Sequence, residues 1–564
     1  MTLHSLEWEL KPTQSSQMEG YDKVKKLTIH INPPLRVWMF ECLDVNKLKS
    51  FPINIFRKIR VIRINSCNSY FMKIFTTSQI RQLDQLTIER EPISSIALME
   101  RAADRILQQF KKDWNFGRDI VILAGPGNNG GDGLALGRML LQIGYEVQII
   151  LLHTGSISSD CKQNRERLAE QFPDFFTEQV NKFTPVELSA QTIIIDALFG
   201  SGLTRSLEGI YKEAAEWINS STKTVVSIDV PSGLNGEKCA ESEEMIVKAD
   251  ITYTLQFPKI AFFFAENEPF VGKWKVIDIT LHPKAITDTE SNYYYLDKKD
   301  IQKILKPRNR FSHKGTFGHT LIWAGKKGMA GAALLASKAA LRAGAGLVSV
   351  HSKEENRIIL QTSLPEAIFV NELSTLDGYD SFALGPGLGT DEETTEMLFE
   401  FLKTLKNPCV LDADALNIIS QHQNFFDFIP ENSILTPHPK EFERLFGSLA
   451  DSLEQMKKAS KKAQELGIII VLKGANTLIA TPDGKLFFNS TGNPGMAVGG
   501  SGDVLTGIIA GLLAQNYSSE DSALLGVFLH GLSGDLALSE QSQESLMPQD
   551  MIENLGTAFN LLRK

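Results

Sequence analysis

The residues best placed to do chemistry cluster where apolar runs end. In GNPGMAVGGSGDVLTG, residues 492–507, glycines surround a single carboxylate, Asp503. Gly499, Gly500 and Gly502 carry no Cβ, so the backbone can take positive φ and bring its amides close to an anion. The apolar helical run VLTGIIAGLLAQ that follows would aim its N-terminal dipole at the same spot. A phosphate suits such a cradle. Asp503 conflicts with it electrostatically unless the carboxylate takes a proton from an attacking group or works beside a bound cation. The plain alternative is a glycine turn in which Asp503 merely favours the helix start, worth about 0.3–1 kcal/mol.

Three more loops share a design of strand followed by polar turn. DIVILA at 119–124 opens into GPGNNGGDG, which places Asn128, Asn129, Gly130, Gly131 and Asp132 before a helical run. TIIIDALFGSGLTR sets Asp196 at a strand end, and TVVSIDVPSGLNG does the same with Asp229, Ser232 and Gly233. All three fall on the carboxyl edge of one sheet, where open α/β sheets bind ligands. The spacing is not GxGxxG, so a dinucleotide fingerprint is not indicated. Lys259 in FPKIAFF reads as a snorkelling stem.

A second series begins near residue 319. HTLIWAG, LVSVH, SFALGPGLG, PCVLDADALN, SILTPHPKEF and IIIVLKGANTLIA are β-rich runs opening into Gly, Asp, His or Lys. They predict a second parallel sheet with its own active edge. His438 lies between two prolines, which keep it out of a helix core and favour ligand contact. Asp412 and Asp414 fit either a magnesium site or ordinary capping. Lys473 followed by Gly474 is like a phosphate lysine, although no Walker sequence occurs. His530 and Asp535, on a helical run, read as structural.

These elements define the fold class as α/β with two doubly wound domains. The boundaries expected are a poorly ordered extension over 1–71, whose place in the native product is open; a first domain over 72–280; a linker over 281–292; and a second domain over 293–564. The extension carries eleven Lys and Arg against six Asp and Glu, while the whole chain of 564 residues has a formal net charge of -9. That acidic balance argues against nucleic acid as a partner. Five scattered cysteines indicate neither disulfides nor zinc and fit a reducing cytoplasm. No apolar run approaches the ~20 residues of a membrane span.

Taken together, the motifs resemble a known family. GPGNNGGDG, DALFGSGLTR and DVPSGLNG resemble the NAD(P)HX epimerases, of Rossmann-like fold. GMAGAA, GPGLG, LDADALN, TPHPKEF, KGANT and GGSGDVLTG resemble the ADP-dependent NAD(P)HX dehydratases, of ribokinase-like fold. Fused in this order they are similar to the bifunctional NAD(P)H-hydrate repair enzymes. The resemblance implies an isomerase and a lyase in one chain. The first would interconvert the R and S hydrates, NADHX and NADPHX; the second would dehydrate the S form with ADP, giving NAD(P)H, AMP and phosphate.

By the same resemblance, the epimerase substrate lies along Asn128, Asn129, Gly130, Gly131 and Asp132 and along Gly200, Ser201, Gly202, Leu203, Thr204, Arg205 and Ser206, with Asp229 as acid/base. Asn129, Asp196 and Ser232 would hold potassium. Ala332, Gly387, His438 and Asp503 would contact the hydrate in the dehydratase. Lys473, Gly474, Ala475, Asn476, Thr477 and Gly502 would contact ADP, which carries magnesium. A homo-oligomer is expected. Two rival readings are a vitamin kinase of ribokinase-like fold, which leaves GPGNNGGDG unexplained, and a first domain that only recruits a protein partner.

Overall fold

A computed structural model of the chain describes residues 71–373 and 375–564; all but the last residue of the expected extension lies outside them. Ile120–Ala124, the run seen in the sequence, is buried along its whole length. Its side chains alternate between two cores: Ile120, Ile122 and Ala124 face one layer of helices, Val121 and Leu123 the other. That two-sided burial is why the strand reads as continuously apolar.

Seven parallel strands form this first sheet, in the order Phe176–Val180, Val147–His153, Ile120–Ala124, Ile193–Ala197, Thr224–Ile228, Ile251–Leu255, Lys273–Ile277. Numbered along the chain the order is 3-2-1-4-5-6-7, so the direction reverses between Ile120–Ala124 and Ile193–Ala197. The crevice at that reversal is where a doubly wound sheet receives its ligand, and GPGNNGGDG and LFGSGLTR leave from these two strands.

The second sheet has eleven strands, from Met72–Ile74 at one edge to Ile368–Val370 at the other. Its central strands are parallel, with helices on both faces. The predicted parallel pattern fails at KGANT. There Ile469–Leu472 and Thr477–Ala480 pair antiparallel, and Leu486–Asn489 continues the meander. Four residues between two apolar runs are too few for a parallel crossover, so the chain can only turn back.

The stretch read as a linker holds a short helix, Pro283–Asp288, and leads directly into Tyr293–Tyr295, a strand of the second sheet. Met72–Ile74 pairs antiparallel with it, so the start of the first domain is woven into the second sheet. Phe263 stacks on Phe488 at 4.4 Å, and Ile74, Ile260 and Phe264 join the same core. The two domains therefore share apolar packing. Among the described residues no helix is long and apolar enough to cross a membrane.

Candidate active sites

The first site is built on a strained corner. Asp229 follows the strand Thr224–Ile228 with φ +68°, unusual for a residue with a Cβ. Val230 N–H donates to Ile228 O across it at 2.9 Å, closing a tight turn. Such a conformation stores roughly 1–3 kcal/mol and aims one side chain. The Asp229 carboxylate accepts from Ser201 N at 2.9 Å and pairs with Lys259 Nζ at 2.7 Å. Burial pushes its pKa up, but the Lys259 charge and these hydrogen bonds outweigh burial and hold it below the usual carboxylate value.

This corrects the reading of Lys259. It is no snorkelling stem: its side chain is 2 % exposed, and its ammonium donates to Thr254 Oγ1, Leu255 O and Phe257 O as well as to Asp229. The charge is buried and fully engaged. An apolar flank made Lys259 look peripheral; the structure shows that FPKIAFF wraps the lysine rather than burying its stem alone.

Asp84 was not legible as a site residue. The helix Thr77–Arg90 lays one face along the glycine loop: Thr77 Oγ1 donates to Ser201 O at 3.2 Å and Arg81 Nη2 to Gly202 O at 3.2 Å. Asp84 continues that face at helical spacing. Burial first, then the Asp229 charge, lifts its pKa to about 7 against the pull of Lys259. Asp132 stands well above the ordinary value through burial, followed by the charges of Asp229, Asp84 and Asp160. The site thus holds one carboxyl lowered below its ordinary pKa, one raised to about 7 and one raised well above the ordinary value.

The helix after GPGNNGGDG begins at Asn128, earlier than the apolar run suggested, so Asn128 to Asp132 are its first residues. A Cβ at Gly130 would stand 1.8 Å from Gly125 O, which is why only glycine lets the helix start lie on its strand. Asn129, Gly200, Ser201 and Asp229 converge: a Cβ at Gly200 would meet Asp229 Oδ2 at 2.9 Å and Asn129 Oδ1 at 3.3 Å. Asn128, Gly202, Thr204, Arg205 and Ser206 are exposed around this crevice.

Beneath the crevice Asp196, 0 % exposed, accepts from Ser232 Oγ, Ser232 N, Ser227 Oγ and Leu198 N. Among the described residues no cationic side chain pairs with it. Asn129 Nδ2 is also buried without a hydrogen-bond partner.

The second site gathers around Lys473. Its Nζ lies 2.8 Å from Asp412 Oδ1 and 3.7 Å from Glu441 Oε2, and a Cβ at Gly502 would stand 3.4 Å from it. Burial disfavours the ammonium, yet the charges of Asp412, Glu441 and Asp503 outweigh that and raise its pKa. Thr506 Oγ1 holds the other Asp412 oxygen at 2.8 Å. Asp414 accepts from Gly389 N and Asn417 Nδ2. Asp412 is the N-cap residue of Ala413–Gln421 without a side-chain capping hydrogen bond, and Asp414 lies in that helix's first turn, so both carboxylates are held by donors of the site itself.

Asp503 lies within the first turn of the helix Ser501–Ala514, whose N-cap is Gly500 at φ +97°. A Cβ at Gly500 would sit 2.6 Å from Leu335 Cδ1, a side-chain end that can shift, so it is the positive φ that favours glycine. Burial first, then the like charge of Asp412, raises Asp503 to about 7, with Lys473 pulling the other way. His438 is the N-cap of Pro439–Phe446, its Nδ1 accepting from the Lys440 and Glu441 amides. Burial, then Lys473 and Arg444, lowers its pKa. Neutral, with Nδ1 accepting, it carries its proton on Nε2.

Gly387, at φ +55°, presses against Ala332 and Met329, which joins two predicted contacts at one loop pair. Asn476 departs from expectation: its side chain donates to Phe262 O of the first domain and accepts from Ser490 Oγ, so it is a domain-contact residue. His530 and Asp535 support the loop as expected, His530 beside Ser501 Oγ at 3.3 Å and Asp535 accepting from Gly492 N and Asn493 Nδ2.

Two doubly wound domains, one with an acid–base crevice at its sheet reversal and one with a carboxylate in a lysine-backed glycine cradle, define a two-site α/β enzyme. Comparison with known proteins agrees. The family model described as YjeF-related protein N-terminus matches residues 95–261, and NAD(P)H-hydrate dehydratase matches residues 320–556. The bifunctional NAD(P)H-hydrate repair enzyme Nnr of Moorella thermoacetica is 34% identical over 511 residues, covering 86% of this chain and 96% of its own. That of Thermofilum pendens is 32% identical over 514 residues, covering 87% and 97%. A solved ADP/ATP-dependent NAD(P)H-hydrate dehydratase from Bacillus subtilis, co-crystallised with ATP/Mg2+, is 32% identical with a TM-score of 0.42, covering 47% of this chain and 97% of its own. The chain belongs to the family of bifunctional NAD(P)H-hydrate repair enzymes.

Proposed function

We propose that the chain repairs hydrated nicotinamide cofactors, epimerising the R and S hydrates in the first domain and dehydrating the S form at the expense of ADP in the second. The observation that carries this reading is the pair of separated sites, each with a carboxyl group tuned for proton transfer: Asp84 beside ionised Asp229, and Asp503 at the helix start.

Epimerisation at a carbon bearing a hydroxyl beside the ring nitrogen needs an acid on the leaving oxygen and a base on the returning water. Groups whose environments push their pKa values apart suit these roles. Asp84 donates the proton as water departs; Asp229, held ionised by Lys259, takes a proton as water adds to the other face. Asn128 to Asp132 and Gly200 to Ser206 grip the rest of the substrate. Asn129, Asp196 and Ser232 would hold potassium, which a buried carboxylate without a cationic partner fits. When bound, potassium fixes these loops by oxygen coordination.

In the dehydratase, Asp503 takes the proton of the hydrate hydroxyl while its oxygen attacks the β-phosphorus of ADP and AMP leaves; loss of phosphate and a ring proton then restores the double bond. Lys473 and the amides around Gly502 stabilise the transferring group. His438 Nε2, which lies 3.5 Å from Glu441 Oε1, would turn its proton to the hydrate beside Ala332 and Gly387. When bound, magnesium offsets the charge of the diphosphate.

The deciding experiment is incubation with NADHX and ADP while following NADH absorbance. The pure S epimer should be consumed by the second site alone, and the R fraction of the mixture only with both; no NADH from either would sink the reading. The two rates should also depend oppositely on pH. Asp503 must be ionised, so dehydration should fall about tenfold per unit below pH 7. Asp84 must be protonated, so catalysed epimerisation, measured above the spontaneous rate, should decline above pH 7. Asp84→Asn should slow epimerisation by about 10²–10⁴-fold and leave dehydration of the S epimer unchanged; an unaffected epimerase would exclude Asp84 as the acid.

A further inference from the structure

A third concavity lies away from both sites. The helices Ala330–Ala343 and Ser501–Ala514 start at the dehydratase site and run side by side, with Gly507 and Gly511 packed against Ala336 and Ala340. At their far ends, Gly344 and Gln515, a cavity of about 420 Å³ opens toward the last turns of Pro548–Arg563. It falls in the range of small-molecule pockets, about 300–1,000 Å³. Lys306, Arg308, Arg342 and Arg563 line it, and no Asp or Glu does. Asp521, whose charge reaches Tyr517, belongs to the first turn of Ser519–Ala537 and does not line the cavity.

Helix ends alone do not account for this charge. Three helix C-termini meet here, each equivalent to about half a negative charge, or about -1.5 together; four cations exceed that by more than two charges. Some donors are engaged with carbonyls: Lys306 Nζ with Asn516 O, Arg308 Nη2 with Gly344 O and with Gln515 Oε1 at 2.8 Å, and Arg563 Nη2 with Lys306 O at 3.4 Å. None of the four forms an ion pair among the described residues, and the Arg342 side chain makes no hydrogen bond among them. Arg308 and Arg563 stand close enough that burial, then the Arg563 charge, lowers the Arg308 pKa. All four are exposed, so solvent screens part of this charge, and a multiply charged anion is the ligand the excess favours. Aromatic rings complete the lining: Arg308 lies 3.8 Å over Phe317 and Lys306 4.4 Å over Tyr517, while Phe559 joins them in the wall.

We propose that this cavity binds the diphosphate of a nucleotide at a site separate from both active sites. Arg342 and Arg563 grip the phosphates, and the ring-lined wall receives the rest of the molecule. The proposal goes beyond the repair reading and does not depend on it.

Equilibrium dialysis of the full chain with labelled ADP and magnesium at low salt tests it. The wild-type chain should bind two equivalents. The Arg342→Glu, Arg563→Glu double variant should lose one while still turning over ADP with the hydrate, and Lys473→Ala should retain the second. A single equivalent in the wild type that Lys473→Ala abolishes, or two in the charge-reversed variant, would overturn the site; a single equivalent that Lys473→Ala retains would count against the dehydratase site instead. If inorganic pyrophosphate binds to Lys473→Ala but ADP does not, the nucleotide assignment is wrong. Should the double variant aggregate, hydrogen exchange on the wild-type chain decides: ADP should protect residues 306–317 and 556–563, and protection confined to the dehydratase loops would refute the proposal.

Discussion

Asp503→Ala should abolish ADP-dependent recovery of NADH from its hydrate and leave epimerisation intact. The carboxyl lies in the first turn of a helix, where a fixed negative charge would ordinarily be favoured by the dipole. Its pKa of about 7 shows that burial and Asp412 outweigh that benefit and the Lys473 charge, leaving a base that can both take and release a proton near neutrality. Removing it should lower kcat by about 10²–10⁴-fold, with little change in ADP affinity, because Lys473 and the backbone amides remain. Asp503→Asn should do the same, since it keeps the shape and loses the base. Asp229→Ala should show the reverse pattern, losing epimerisation and sparing dehydration of the S epimer. If both alanine variants lose both activities while folded, the two-site division is wrong.

The site residues that could be read from the sequence are those whose function is written in backbone constraints. Gly500 and Gly502 ahead of an apolar helix, and Asp196 and Asp229 at strand ends, are visible because strand–loop–helix patterning places them on one edge whatever the tertiary packing. Lys259 and Asp84 were invisible for opposite reasons. Lys259 sits in an apolar segment whose local pattern is the same whether the ammonium reaches water or Asp229. Asp84 lies on a helix with polar residues on an ordinary-looking face, and only docking onto Ser201 and Gly202 turns that face inward. The antiparallel turn at Lys473–Asn476 was readable in principle from its length. The pairing of Met72–Ile74 with Tyr293–Tyr295 joins strands more than 200 residues apart, and no local pattern announces it.

Lys259→Met should disable the epimerase and should destabilise the first domain. The wild-type lysine is held by three protein oxygens and Asp229. Methionine fills much the same volume but leaves Asp229, 9 % exposed, without its cation. Burial is the largest influence on Asp229, so its pKa should rise once Lys259 no longer opposes it. The base would then be protonated at neutral pH, and epimerisation should fall by about 10²–10⁴-fold. Breaking a buried pair on one side typically destabilises by about 3–5 kcal/mol.

The pH dependence identifies the cause. In the wild type a depressed Asp229 pKa gives stability above the ordinary carboxylate range that is lost on acidification; in the variant the pKa is raised, so this group's contribution should instead be present at low pH and decline as pH rises through the carboxylate range. Adding Asp229→Asn to Lys259→Met removes the stranded charge and should restore much of the stability but none of the epimerase activity. Because Phe263, four residues on, stacks against Phe488 of the second domain, dehydration of the pure S epimer serves as the control. That rate should be retained in the double variant, and a loss there would mean that Lys259 acts by holding the domains together rather than by ionising Asp229.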